Sequence, residues 1–130
     1  MATVTPTVTD LGDGYGHSKL ITWALTSANE TGVAVGPELA QHTDLCWHIT
    51  GTNWGGATCA AQGSNTNTDG LFGAVTNVAG GAAITYTADA GPKQQIEKPA
   101  YIRPKLTTIG TSAVVTVTLF ARRNTVSHRR

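Results

Sequence analysis

Asp44, Cys46 and His48 occupy alternate positions of one extended segment, and Cys59 falls on the segment that follows it. Successive side chains of a strand point to opposite faces, so the first three share a face. If Cys59 returns on a neighbouring strand at the height of Cys46, three or four metal ligands converge, and zinc accepts Cys and His in tetrahedral sites. Structural zinc sites more often come from knuckles such as Cys-x2-Cys than from Cys-x-His on a flat strand. Two separate small thiols are therefore the first reading, with a cross-strand disulfide and a metal site as the alternatives. A reducing cytosol opposes the disulfide, although later release into an oxidising medium would permit it. No cofactor is expected.

Catalysis finds less support. The five serines, Ser18, Ser27, Ser64, Ser112 and Ser127, lack a Gly-x-Ser-x-Gly context, and no two acidic residues are spaced to flank one bond. The glycine-rich run around His17 leads into a strand, so no helix N-terminus is present to cradle a phosphate. The chain is not expected to be an enzyme. Residues suited to binding another protein stand out more clearly. Trp54 lies in the turn Thr52-Asn53-Trp54-Gly55-Gly56, where it either forms an exposed anchor or tucks back over the strands. Val4, Pro6 and Val8 alternate with threonines in residues 1–9, which read as an N-terminal arm or an edge strand. Arg122, Arg123, Arg129 and Arg130 lie in a basic tail over residues 122–130, and their forked donors suit carboxylates.

The elements that must position these residues are strands. With 130 residues the chain fits one domain spanning residues 1–130. Charged residues make up 13%, against about 25% in ordinary soluble domains, while threonine occurs 22 times. Period-2 alternation places Ile21, Trp23 and Leu25 on one face, and likewise Leu45, Trp47 and Ile49; Trp23 and Trp47 are therefore core residues. A helical turn is possible at residues 38–42. A hairpin is expected from Asp44–Thr50 through the Trp54 turn into Ala57–Gln62, with further strands at 71–78, 82–88, 93–97, 100–107 and 112–123. In the last, Val115, Val117, Leu119 and Ala121 oppose Val114, Thr116, Thr118 and Phe120. The pattern predicts an all-β fold, a single β-sandwich of jelly-roll type with extended N- and C-terminal arms.

The charge is uneven. Residues 1–99 carry eight acids against three lysines, and residues 100–130 carry six basic residues and no acid. A net charge of +1 gives no general affinity for nucleic acid, which ranks behind protein as a partner. The start lacks a basic and then apolar leader pattern, and no apolar run approaches the roughly 20 residues that span a bilayer. No membrane is expected, and the protein is expected to be made and kept in the cytoplasm of the producing cell.

The stretch Ala61-Gln62-Gly63-Ser64-Asn65, with the segment from Leu71 to Val78, resembles the strand-and-loop of discoidin-type, galactose-binding-like jelly rolls. Lys98-Pro99-Ala100-Tyr101-Ile102-Arg103-Pro104 and the closing strand from Thr111 to Arg123 are similar to the same architecture as it occurs in small structural proteins of tailed bacteriophages. The resemblance runs from Cys59 to Arg123, about half of the chain. It implies a head decoration, or cement, protein that binds the major capsid protein on the outside of the head, stabilises it and forms a homo-oligomer, with a trimer as the first expectation. The alternative is a tail-associated or fibre module that binds carbohydrate or a host receptor. Where sugar-binding relatives carry Asp-Gly and then Trp, this chain has Asp69-Gly70-Leu71-Phe72, which counts against a sugar platform.

Overall fold

Threonine, valine and aromatic residues at alternate positions favour pleated strands over helix. The computed structural model describes residues 3–11, 18–28, 30–36, 39, 42–107 and 113–123. Its strands are β1 (Thr3–Val4), β2 (Thr7–Asp10), β3 (Ser18–Thr26), β4 (Thr31–Gly32), β5 (His42–Thr52), β6 (Thr58–Ser64), β7 (Gly73–Ala74), β8 (Thr85–Tyr86), β9 (Ala90–Gln94), β10 (Tyr101–Thr107) and β11 (Val114–Arg123). One sheet has the order β2-β3-β11-β5-β9. The other follows the path β1-β4-β10-β6-β7, with β8 also paired to β6. The two pack face to face as a β-sandwich; jelly roll is a finer name that these strand orders do not by themselves establish.

The core forms where the inward faces meet. β11 runs antiparallel between β3 and β5, so Val117 lies between Trp23 and Ile49, and Leu119 between Ile21 and Trp47. Trp23 and Trp47 are both 0% exposed and stack with centroids 5.8 Å apart. Neither indole N–H is wasted: Trp23 donates to the Val33 carbonyl at 2.9 Å and Trp47 to Gln95 Oε1 at 2.8 Å. Gln95, itself buried, donates onward to the Glu97 carbonyl. A polar amide can sit in this core because its hydrogen bonds are met. Gly32 is fixed by the same packing, since a Cβ there would stand 2.6 Å from Trp23 Cδ1 and 2.7 Å from Pro104 Cδ.

Two sequence expectations are corrected, and the choice between arm and edge strand at the amino end is decided. β5 and β6 do not form a hairpin: β5 pairs with β11 and β9, while β6 pairs with β10, β7 and β8 in the other sheet. The turn between them, with positive φ at Asn53, Gly55 and Gly56, carries the chain across the sandwich. Alternation is the same for a hairpin and for such an arch, because both present one apolar face to the core. Residues 3–10 are edge strand rather than free arm: Thr3–Val4 joins β4 in one sheet and Thr7–Asp10 joins β3 in the other. The continuous strand expected at 71–78 is broken. Asp69–Leu71 is a 3-10 turn and only Gly73–Ala74 pairs as β7, while Asn77 bridges to Gln95. Of the expected helical turn, Leu39 donates its N–H to the Gly36 carbonyl, and His42 already opens β5; the rest lies outside the described residues.

Candidate interaction face

The arch separates the four residues that suggested a metal. Asp44, Cys46 and His48 do share a face of β5, but it is the outer face, because Leu45, Trp47 and Ile49 fill the inner one. Cys59 faces the core from the opposite sheet and is 1% exposed. Both thiols are free, and among the described residues no three His, Cys, Asp or Glu side chains group as metal ligands. Burial pushes the Cys59 thiol up to about 12, and burial also raises Cys46, so neither is poised as a thiolate.

The two motifs behind the resemblance come together on the other sheet. β10 pairs with β6 so that Tyr101 opposes Ser64, Ile102 opposes Gly63 and Arg103 opposes Gln62. Arg103 points outward yet is only 6% exposed, because the segment around Asp69–Leu71 folds over it. Its Nε donates to Gln62 Oε1 at 3.1 Å, its Nη1 lies 2.9 Å from Asp69 Oδ1, and its guanidinium stacks 4.0 Å from the Phe72 ring centroid. Asn65 Oδ1 accepts from the Ala100 N–H at 3.1 Å. These motif residues therefore tie a loop to its own sheet. One face of the Phe72 ring is taken by the arginine.

Beside them, at one end of the sandwich, a cleft of about 470 Å³ is lined by Val35, Leu39, Leu45, Pro99 and Ile102, with His42, Asn65 and Lys98 as polar groups. No Phe, Tyr or Trp is among the described lining residues. Sugar sites ordinarily combine an exposed aromatic with convergent polar groups, so this cleft does not favour the carbohydrate reading.

The outer face of the five-stranded sheet is different: the turn at residues 77–79 stands beside its Cys46–Gln94 corner, and no described segment lies over the rest of it. Register places its side chains in rows across the strands: Thr9, Leu20, Phe120, Cys46 and Gln94; then Thr7, Thr22, Thr118 and His48; then Ala24, Thr116 and Thr50; then Thr26, Val114 and Thr52. Methyl, hydroxyl and aromatic groups cover it. At one end a further row, Ser18, Arg122 and Asp44, holds the charges of the described outward positions, with Arg122 and Asp44 paired at 3.1 Å. With strands about 4.8 Å apart and a rise of about 3.4 Å per residue, the face measures roughly 500–600 Å². That is the larger part of the roughly 800 Å² each partner contributes to a standard protein interface.

The other interface candidates are distributed unevenly. Val4 packs partly against the core, Pro6 is half-buried, and Val8 is 48% exposed on the edge strand. Trp54 tucks back: it is half-buried against the core and donates its indole N–H to Asp89 Oδ1 at 3.1 Å, while Asp89 also accepts from the Gly51 N–H. Arg122 belongs to the sheet face; Arg123 ends β11 opposite His42, and Arg129 and Arg130 lie outside the described residues. Sequence reasoning missed the Arg103–Asp69 tie and the breadth of the outer face. The second is readable in part, since alternation puts Val114, Thr116, Thr118 and Phe120 on one face of the last strand. Comparison with protein-family models finds no match, and comparison with curated proteins finds none either.

Proposed function

We propose that this protein is a structural component of a tailed-bacteriophage particle that lies on the outside of the head, binds the major capsid protein and stabilises the shell. The observation that carries the reading is the outer face of the five-stranded sheet, which among the described residues is broad, largely uncovered and almost free of charge. Burying such a face costs little desolvation, since its hydroxyls can exchange water for partner hydrogen bonds while its methyl groups leave water. The likeness of the Tyr101–Pro104 segment and of the closing strand to small phage structural proteins supplies the phage context. Chemistry is not part of the proposal: the thiols are protonated, and the charged groups near the loops are spent on internal ties.

The test is the binding of purified protein to pre-formed heads lacking it. Binding should saturate at hundreds of copies per head and raise the temperature at which the heads release their contents. A few copies per particle would assign the protein to the tail. Binding of the free protein to host glycans without binding to heads would replace this reading with a receptor-binding one.

A further inference from the structure

Among the described residues the five-stranded sheet has one free edge. At the β9 side the chain covers itself, as the Val78 N–H donates to the Gln94 carbonyl and the Ile96 N–H to the Thr76 carbonyl. On the other side no described residue pairs with the outer edge of β2, whose four residues are all exposed. The ladder determines which groups of that edge are unmet. Leu11 donates its N–H to the Ser18 carbonyl at 3.2 Å, which makes Leu11 and Ser18 a hydrogen-bonded pair. Antiparallel pairs alternate, so Asp10–Lys19 and Val8–Ile21 are non-hydrogen-bonded pairs. The N–H and C=O groups of Val8 and Asp10 therefore point away from β3, toward the free edge.

We infer that this edge receives the same edge of a second copy, β2 against β2, antiparallel about a two-fold axis. Val8 lies opposite Asp10 of the second copy, and Thr9 faces Thr9 on the axis. This register meets the outward donor and acceptor of Val8 and of Asp10 in both copies. The neighbouring two-fold register, Val8 opposite Val8, sets Asp10 against Pro6, which has no N–H to give. Charge favours the same choice: Asp10 is already paired with Lys19 at 2.8 Å and faces an apolar residue instead of another aspartate. Leu11, 44% exposed, then lies across from the methyl group of Thr7 of the second copy. Two outer faces become one continuous surface. The inference is independent of the capsid reading, and it makes the symmetry two-fold where the resemblance implied three-fold.

A four-residue strand pair buries less than the roughly 1,200–2,000 Å² of a stable interface, so association in free solution is weak and a cross-link is the sensitive reporter. In a Cys46→Ala background, Thr9→Cys should form a disulfide-linked dimer under an added oxidant. Non-hydrogen-bonded antiparallel neighbours have Cα atoms about 4.5 Å apart, within the roughly 4.4–6.8 Å that a disulfide spans. Thr7→Cys, two pairs from the axis, should remain monomeric. A monomeric Thr9→Cys protein, or equal cross-linking of both variants, would overturn the inference. As a second measurement, Val8→Pro removes an N–H that the fold itself does not use, and an edge strand tolerates proline. Sedimentation at high concentration should show the parent associating and Val8→Pro monomeric with an unchanged circular dichroism spectrum; equal association of a folded Val8→Pro protein would also overturn it.

Discussion

Cys59 shows how placement alone decides what a reactive side chain does. Held in the core with its pKa pushed up to about 12, it stays a thiol above about pH 8.5, where an exposed cysteine becomes mainly thiolate. In the native protein at pH 8 a charged thiol reagent should therefore modify Cys46 within minutes and Cys59 only after denaturant is added; simultaneous labelling of both would contradict the assigned burial. The sign of the pH dependence follows. The unfolded chain releases the Cys59 proton near pH 8.5, whereas the folded chain holds it to about pH 12, so stability present below the lower value is lost progressively across that window. Tyr86, raised chiefly by burial, adds a loss in the same direction at higher pH. Urea unfolding followed from pH 8 to pH 11 should show this decline, and Cys59→Ala should make it shallower. The sequence revealed both cysteines and the shared face of Asp44, Cys46 and His48. It could not reveal that Cys59 sits in the other sheet, because that depends on a turn whose residues suit a hairpin and an arch equally.

Strand faces were legible wherever large apolar residues alternate with small polar ones, as in β3, β5 and β11. Pairing was not, since register and sheet membership depend on contacts between distant segments. The short strands β4, β7 and β8 were the hardest, as two residues carry no readable period. Trp23→Ala removes a fully buried indole and one of two stacked rings, and should cost about 3–5 kcal/mol in urea unfolding. At the amino end, β1 and β2 hold the edges of both sheets. Deleting residues 1–9 should therefore destabilise the fold by about 2 kcal/mol or more, from lost ladder bonds and the uncovering of apolar contacts beside Val4. A truncated protein that melts with the parent would show that the strands add nothing beyond their geometry.

For the molecule as a whole, the two outer faces divide the work. One is roofed by its own loop through Arg103, Asp69 and Phe72, and the other is left broad and nearly uncharged. The overall scarcity of charge was plain in the composition; which surface it left bare became visible only once β2, β3, β11 and β5 lay side by side. The central claim is that this second face is the one buried on the particle, and its most direct test is head occupancy. Thr116→Arg places a charge in the middle of the face at an exposed position flanked by Ala24 and Thr50, so the fold should tolerate it. Leu71→Arg places the same charge on the roofing loop, 63% exposed. Titration of both variants onto pre-formed heads should show Thr116→Arg weakened at least tenfold, or about 1.4 kcal/mol, with Leu71→Arg indistinguishable from the parent. Full occupancy by Thr116→Arg at parental concentrations would contradict the account.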